Sequence, residues 1–303
     1  MELRHLRYFA AVAAEGNFTK AAQRLGVAQP PLSRQIRDLE TELGVLLLDR
    51  DSRPVRLTQA GRVFHEQAIS VLAGFDQLRR SMDQLTSSDR RRYVVGFAGS
   101  VIYGAMPLAI RSFRNQAPGI DVQLLEMTTL QQVQALKEGR IDAGFGRIRI
   151  EDKALRREVL YEEPLVLAMP FDHPLVVKAN LALRDCASDT LIIYPSQPRP
   201  SYADQVLTLL RDKGLETVEF VEVKEVQTAL GLVAAQAGLA LVPASMRHMQ
   251  RDEVVYREIN DPSAVSPIIL SRRASDVSAE TTLLEAISRE AYRDTGQIAT
   301  SVR

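Results

Sequence analysis

One apolar repeat divides this chain of 303 residues and limits how it can fold. Over residues 59–88, apolar side chains recur at alternating spacings of four and three, which gives the period of about 3.5 residues typical of a coiled coil. We predict a long helix between two domains that pairs with a second copy of the chain. An amphipathic helix packed on its own domain is the alternative. The predicted seam consists of Phe64, Ala68, Val71, Phe75, Leu78, Met82 and Leu85.

The segments on either side of this helix differ in pattern and give the expected domain boundaries. Residues 1–58 read as short helices, and a polar run that starts at Thr86 is expected to end the long helix in a hinge. From residue 90 onward, strand patterns alternate with helical ones. We therefore predict three parts, which cover residues 1–58, 59–89 and 90–303.

Charge, cysteine content and apolar runs limit the partners and the cell compartment that we expect for the chain. Its 38 basic and 38 acidic residues cancel, so a face that binds an anionic partner needs locally concentrated charge. The one cysteine, Cys186, excludes an internal disulfide and fits a reducing compartment, and its setting favours a structural over a reactive role. Neither the N-terminus nor the apolar run at 229–244 resembles a secretory or membrane-spanning segment. We expect a cytoplasmic protein without a membrane partner.

The first part of the chain has the spacing of a helix-turn-helix. The small pair Ala21-Ala22 lies in one helix, Gly26 supplies the turn, and a further helix is expected from about residue 29 to residue 43. The segment 46–57 then resembles a two-stranded wing. We therefore predict an all-α winged helix-turn-helix followed by the long linker helix.

The outward N-terminal face of the helix at 29–43 carries side chains suited to base edges. Gln can form two hydrogen bonds with adenine and Arg with guanine, and Ser can bond to bases or phosphates. Arg53 in the wing is placed for the minor groove, and Arg50 and Lys20 for phosphates. A three-helix protein-interaction domain with a charged face is the alternative. The predicted DNA-binding residues are Lys20, Gln29, Pro30, Pro31, Ser33, Arg34, Arg37, Arg50 and Arg53.

The alternation of strands and helices after residue 90 predicts an α/β domain with right-handed crossovers and a mostly parallel sheet. Strand patterns at about 165–169, 191–194 and 218–221 indicate a second sheet, and a late strand at 268–271 returns to the first. We therefore expect two lobes joined by two crossing strands. The first lobe is predicted to cover about 90–162 and 265–303, and the second about 163–264.

Three loop-to-helix junctions in this domain combine hydroxyl groups with helix N–H groups. They lie at Gly99-Ser100, at Thr129 and at residues 200–202. In two-lobed folds, ligands bind between the lobes near such junctions, where N–H groups and the helix dipole favour a carboxylate. A dianion would place one carboxylate at Ser100 and Thr129 and the other near the third junction. Ordinary helix capping is the alternative role for the two hydroxyls.

Two arginines end the third strand pattern of this domain. Arg147 and Arg149 are expected either to bind the ligand or to pair with Glu163 or Glu225 across the cleft. Pairing is favoured, because a buried charge needs a partner and Arg suits carboxylates in both roles. The predicted effector-binding residues are Gly99, Ser100, Thr129, Arg147, Pro200, Ser201 and Tyr202.

The sequence carries no recognisable motif for catalysis or for a bound cofactor. Its four histidines are scattered without metal-ligand spacing, and it has no Gly-x-Ser-x-Gly, P-loop or dinucleotide-binding fingerprint. We therefore expect no enzyme, no metal and no cofactor. A cytoplasmic small-molecule-binding protein or enzyme, whose N-terminal helices only mediate assembly, is the rival hypothesis.

Several motifs of this chain match those of a known family. In the N-terminal part they are Leu6-Arg7-Tyr8-Phe9, Phe18-Thr19-Lys20-Ala21-Ala22, Gln29-Pro30-Pro31-Leu32-Ser33-Arg34-Gln35-Ile36 and Leu57-Thr58-Gln59-Ala60-Gly61. Further along they are Glu126-Met127-Thr128-Thr129, Gly144-Phe145-Gly146-Arg147, Arg199-Pro200-Ser201-Tyr202 and Leu241-Val242-Pro243-Ala244-Ser245. On these motifs, residues 1–58 resemble the winged helix-turn-helix of the LysR-type transcriptional regulators, and the resemblance continues through the rest of the chain. Within the family it is greatest to the muconate-responsive regulators of catechol and benzoate degradation.

This resemblance implies a DNA-binding activator of aromatic-degradation genes. The second domain is implied to have the periplasmic-binding-protein fold, with Ser100, Thr129 and the loop at 200–202 at the positions that bind cis,cis-muconate. Implied partners are double-stranded promoter DNA, a small carboxylate such as cis,cis-muconate, further copies of the chain in a homodimer or homotetramer, and RNA polymerase. Many family members have a serine where this chain has Ala28, so the recognition helix is expected to start without that cap.

Overall fold

The computed structural model describes residues 1–86, 91–215 and 218–301, and within its helices all side chains except those at 73, 76–77, 79–81, 83–86 and 295–301. The chain forms two compact units, Met1–Asp89 with Lys137–Gly139, and Arg90–Leu136 with Arg140–Arg303. The hinge predicted to follow Thr86 and the side chain of Leu85 lie outside the described residues. None of the described helices combines the length and the apolarity needed to cross a bilayer.

The described part of the first unit is built from helices and a short hairpin. Gly16, Gly26 and Gly44 end the first three helices with φ angles of +56°, +66° and +68°, which glycine adopts at little cost. The Asn17 side chain caps the second helix by accepting hydrogen bonds from backbone N–H groups in its first turn. The elements are α1 (Leu3–Glu15), α2 (Phe18–Leu25), α3 (Gln29–Leu43), β1 (Leu48–Asp49), β2 (Arg56–Leu57) and α4 (Gln59–Thr86).

The apolar faces of α1, α2 and α3 meet in one core. Phe9, Leu32 and Ile36 are fully buried in it, together with the small side chain of Ala21. Phe64, near the start of α4, packs edge-on against Phe9 with 5.1 Å between the ring centroids. The first turns of α4 therefore belong to this core.

The second unit alternates strands and helices. Its elements are β3 (Arg91–Phe97), α5 (Met106–Gln116), β4 (Ile120–Glu126), α6 (Thr129–Lys137), β5 (Ala143–Gly146), β6 (Leu155–Pro170), β7 (Leu191–Ile193), α7 (Tyr202–Asp212), β8 (Phe220–Glu222), α8 (Val226–Ala234), β9 (Ala240–Pro243), β10 (Val254–Glu258), β11 (Val265–Arg273) and α9 (Ala279–Ser301). One sheet has the order β10-β6-β11-β5-β3-β4 with β9 added to β6, and β7 and β8 form a separate parallel pair.

The large sheet is mixed, which corrects the prediction of a mostly parallel sheet. β3 pairs in parallel with β4 and β5, as the strand–helix alternation predicts. The described pairings of β6 and β11 are all antiparallel. The physical reason is that β6 and β11 are the two crossing strands, which pass between the lobes in opposite directions.

Each lobe has its own apolar core. In the first lobe, β3, β5, β11 and α5 enclose fully buried side chains such as Phe113 and Phe145. In the second lobe, β6, β7, β9 and α8 enclose another set, such as Leu167 and Leu230. Cys186 lies in the second core, where burial raises the pKa of its thiol to about 12. The thiol is therefore a packing group, as expected.

Candidate DNA-binding face and effector cleft

Most of the predicted DNA-binding side chains are exposed on the first unit. α3 starts at Gln29, and Ala28 before it provides no side-chain cap, as its methyl group predicts. The prolines that follow lack N–H groups that would have no intrahelical acceptor in any case. Ser33 is half-buried. The exposed residues are Lys20, Gln29, Pro30, Pro31, Arg34, Arg37 and Arg53.

Arg34 is an exposed cation on the recognition helix. Its side chain is 80% exposed and lies 4.0 Å from Asp38, one turn further along α3. An exposed pair at that distance contributes little free energy and does not hold the guanidinium in place. The guanidinium is therefore available to a DNA base edge.

Arg50 has partners inside the protein, and its role as a phosphate contact stays a prediction. Its guanidinium donates to the Glu40 carboxylate at 2.6 Å and lies 5.4 Å from the centre of the Phe18 ring. Glu40 is buried and also accepts hydrogen bonds from the N–H groups of Leu47 and Leu48. Arg50 and Glu40 thus attach the wing to α3. A buried carboxylate needs such donors, and the sequence alone did not indicate which arginine supplies them.

A cleft of about 310 Å³ opens in the second unit. The structure brings together at this cleft every side chain predicted to bind the effector. Apolar side chains form much of its wall, and they belong to Ala98, Met127, Ile148, Pro195, Pro198 and Val226. A mostly apolar wall with a few converging polar groups is typical of a small-molecule site. The predicted residues that line the cleft are Gly99, Ser100, Thr129, Arg147, Pro200, Ser201 and Tyr202.

Arg147 organises the inner end of this cleft. Its Nε donates to the Ser100 hydroxyl oxygen at 2.7 Å, and its backbone N–H donates to the Thr129 hydroxyl oxygen at 3.2 Å. Because both hydroxyl oxygens already accept a hydrogen bond, the hydroxyl hydrogens of Ser100 and Thr129 remain to be donated. The two side chains can therefore donate to an anion in the cleft.

The partner of Arg147 is Glu163, one of the two carboxylates predicted. Its Nη2 donates to Glu163 at 2.7 Å, and the two side chains are only 3% and 6% exposed. The second oxygen of Glu163 accepts from the backbone N–H of Ser245 at 2.7 Å. The predicted pairing of Arg149 with Glu163 or Glu225 is wrong, because its guanidinium contacts the exposed carboxylate of Glu162.

Two side-chain donors at the N-terminus of α7 are already engaged. The Ser201 hydroxyl donates to the Pro195 carbonyl at 2.9 Å, and the Ser201 N–H donates to Asp204 at 2.6 Å. The Tyr202 hydroxyl donates to the Leu241 carbonyl at 3.1 Å. This junction can therefore offer an anion the first-turn N–H groups of α7 and the helix dipole, but not these side-chain hydrogens.

Two glycines around the cleft have side-chain neighbours that approach them closely. A Cβ atom on Gly146 would lie 2.8 Å from the Thr129 hydroxyl oxygen, and one on Gly99 would lie 2.4 Å from a carboxylate oxygen of Glu126. A side chain at either position would displace a cleft residue. Gly146 is the last residue of β5, and Gly99 follows the end of β3 by two residues.

A fourth junction at the cleft was missed by sequence reasoning. Lys224 and Gln227 line the cleft between β8 and α8, and Glu225, considered only as a partner for Arg147, lies with them. The signal was present in the sequence, because a strand pattern ending near residue 221 is followed by a helical run. Glu126 and Tyr194, at the ends of their strands, were missed as well.

A helix-turn-helix with an exposed recognition helix, a long helix and a two-lobed domain with an anion-suited cleft define a ligand-responsive DNA-binding regulator. Two family models match the chain, the bacterial regulatory helix-turn-helix protein of the lysR family over residues 3–62 and the LysR substrate binding domain over residues 86–292. The chain therefore belongs to the LysR family of transcriptional regulators. The predicted family and fold class are confirmed, and with them the prediction of a regulator rather than an enzyme.

Known relatives agree with this assignment. The probable cat1 operon transcriptional activator of Acinetobacter lwoffii is 46% identical over 97% of both chains. The effector binding domain of BenM with its effector benzoate, a regulator from Acinetobacter baylyi, has a TM-score of 0.66 at 39% identity, covering 69% of this chain and 95% of that one. Full-length CbnR in complex with its target DNA has a TM-score of 0.64 at 31% identity, covering 96% of this chain and 100% of that one.

Proposed function

We propose that this regulator activates aromatic-degradation genes in response to a small carboxylate, with cis,cis-muconate as its leading effector. It acts in the cytoplasm as a homodimer or homotetramer that pairs through α4, and it recruits RNA polymerase at the promoter. In this proposal, residues 1–58 bind DNA, residues 59–89 pair with a second copy of the chain, and residues 90–303 bind the effector.

The main evidence for a carboxylate effector is the hydrogen bonding of two hydroxyl groups. Ser100 and Thr129 both accept hydrogen bonds from Arg147, so both present hydrogens to a ligand in the same cleft. Two hydroxyl donors beside a guanidinium suit one carboxylate. The N-terminus of α7, which lines the same cleft, suits a second negative group.

The relatives supply independent support for this class. The Acinetobacter lwoffii relative is named as an activator of a cat operon, and BenM is described with benzoate as its effector. Benzoate and muconate share a carboxylate attached to an unsaturated, flat carbon frame. The apolar wall formed by Met127, Ile148 and Pro198 fits such a frame.

Calorimetric titration of the full-length protein with cis,cis-muconate and with benzoate tests the proposal. Ser100→Ala and Thr129→Ala should each weaken binding of the preferred acid by about tenfold or more, since each removes a hydrogen bond to a charged group. Thr282→Ala is the matched control, because this hydroxyl donates to the Ser278 carbonyl on an exposed face of α9 and does not line the cleft. An affinity unchanged in both cleft variants would refute this site.

A further inference from the structure

Tyr194 is a buried side chain of the cleft whose hydroxyl forms no hydrogen bond with any described residue. The residue is 5% exposed and lines the cleft, directly after β7. Its ring packs against that of Tyr202 with 5.1 Å between centroids. Within the described part of the chain, no donor or acceptor lies within hydrogen-bond distance of the Tyr194 hydroxyl.

Among the described residues of the same unit, the buried Tyr202 and Tyr93 are hydrogen-bonded, whereas the Tyr292 hydroxyl is unpaired but does not line the cleft. The Tyr202 hydroxyl bonds to the Leu241 carbonyl, and the Tyr93 hydroxyl lies 2.8 Å from the Thr281 hydroxyl. Buried polar groups are nearly always hydrogen-bonded, and one left unpaired costs free energy. An unpaired hydroxyl that lines a cleft therefore indicates an acceptor supplied from outside the protein.

A second unpaired donor belongs to the same cleft. Arg147 uses its Nε and Nη2 on Ser100 and Glu163, but its buried Nη1 has no partner among the described residues. Glu163 accepts from Nη2 of Arg147 and from the N–H of Ser245, and in the described part of the chain it accepts neither from Nη1 of Arg147 nor from the Tyr194 hydroxyl. The cleft thus has two buried donors and lacks the acceptor for them.

The protonation state of Tyr194 fits a donor role. Burial raises the pKa of its hydroxyl far above the usual range, and the nearby charge of Glu163 acts in the same direction. The positive charge of Arg147 opposes this shift without overcoming it. The hydroxyl therefore keeps its hydrogen at every pH at which the protein works.

We propose that the Tyr194 hydroxyl and Nη1 of Arg147 form an inner anchor that holds a carboxylate oxygen of the effector. This assignment rests on the proposed function and adds a specificity residue to it. Two donors without an acceptor favour an anionic oxygen over a neutral one, because the negative charge strengthens both hydrogen bonds. Tyr194, rather than Tyr202, thus supplies the phenolic donor of the cleft.

The test is Tyr194→Phe in the full-length protein, titrated calorimetrically with cis,cis-muconate and benzoate. Affinity for the acid that the unmodified protein prefers should fall about tenfold or more, the loss expected for a hydrogen bond to a charged group. The thermal midpoint of the ligand-free variant should stay the same or rise, because the hydroxyl removed had no partner to lose.

Tyr93→Phe is the matched control. It removes a buried hydroxyl that has a partner and does not line the cleft, so the thermal midpoint should fall while the affinity changes less than twofold. If Tyr194→Phe binds the acid as tightly as the unmodified protein, the anchor is refuted and a buried water is the partner instead. A fall in midpoint as large as that of Tyr93→Phe would also refute it. If the unmodified protein binds neither acid, the proposed function fails and the anchor with it.

Discussion

The ion pair between Arg147 and Glu163 determines what the cleft can bind. Taking two charges out of water is costly, and their attraction offsets that cost only when the remaining hydrogen bonds are made. Here each oxygen of Glu163 accepts a hydrogen bond, while Arg147 positions the hydroxyls of Ser100 and Thr129. The pair therefore orients hydrogen-bond donors in the cleft. Removing the charge of Arg147 should lower the free energy of unfolding.

We predict that Arg147→Gln lowers the free energy of unfolding by about 3–5 kcal/mol, because Glu163 is left as an unpaired buried charge. Arg149→Gln is the control, since it breaks an exposed pair with Glu162 and should cost less than about 1 kcal/mol. Urea unfolding followed by circular dichroism measures both. Equal losses would mean that water compensates Glu163.

At the scale of elements, the apolar stripe of α4 has a part that is buried in the first unit and a part that is exposed. Phe64 packs on Phe9, and Ala68 is 2% exposed, so the structure places these two in the first unit instead of on an open seam. Further along, Leu78 is 59% exposed, and Val71 and Met82 are exposed as well. Phe75 is partly exposed and lies under the Arg7 guanidinium. Exposed apolar side chains at coiled-coil spacing are what a second copy of α4 would cover.

We predict that Leu78→Glu shifts the full-length protein toward smaller assemblies, because a paired seam would have to bury the introduced charge. Val63→Glu is the control, since Val63 is 62% exposed on the same helix but lies off the seam. Sedimentation velocity over a range of concentrations compares the two variants. An unchanged distribution for Leu78→Glu would show that the copies associate through another surface.

How far elements can be predicted depends on where their partners lie. α3 was predicted from about 29 to 43 and spans Gln29–Leu43, because its signals, a proline pair, an apolar stripe and a glycine, are local. Of β6 only 165–169 was predicted, although the strand starts at Leu155. Its first half is rich in charged residues and pairs with β11, which lies far away in the sequence. No local pattern reports such a partner.

The same limit applies to the cleft. The residues that line the cleft could be predicted, since loop-to-helix junctions are visible in the sequence and the family resemblance marks them. The sequence could not predict which tyrosine hydroxyl is unpaired, because the Leu241 carbonyl that accepts from Tyr202 belongs to a distant strand. The partner of Arg149 was mispredicted for a related reason, since the register of β6 decides which of two neighbouring glutamates faces it.

For the whole molecule, the DNA-binding face and the effector cleft lie in separate compact units, so a regulatory response requires a coupling free energy between them. An effector changes promoter binding only if it binds the DNA-bound arrangement with a different affinity from the free one. This requirement is thermodynamic and holds whatever movement links the two sites. The coupling free energy can therefore be measured either as a change in effector affinity or as a change in promoter affinity.

We predict that promoter DNA changes the effector affinity by the same factor by which the effector changes promoter affinity, with a tenfold effect corresponding to about 1.4 kcal/mol. Calorimetric titration of the effector with and without promoter DNA gives one factor, and fluorescence anisotropy of labelled promoter DNA at zero and saturating effector gives the other.

DNA of equal length and unrelated sequence is the control and should leave the effector affinity nearly unchanged. Both titrations must share one salt concentration, because phosphate contacts make promoter affinity fall steeply with salt. Unequal factors would reveal a third linked equilibrium, and association through α4 would then be the first to examine, by repeating both titrations with Leu78→Glu.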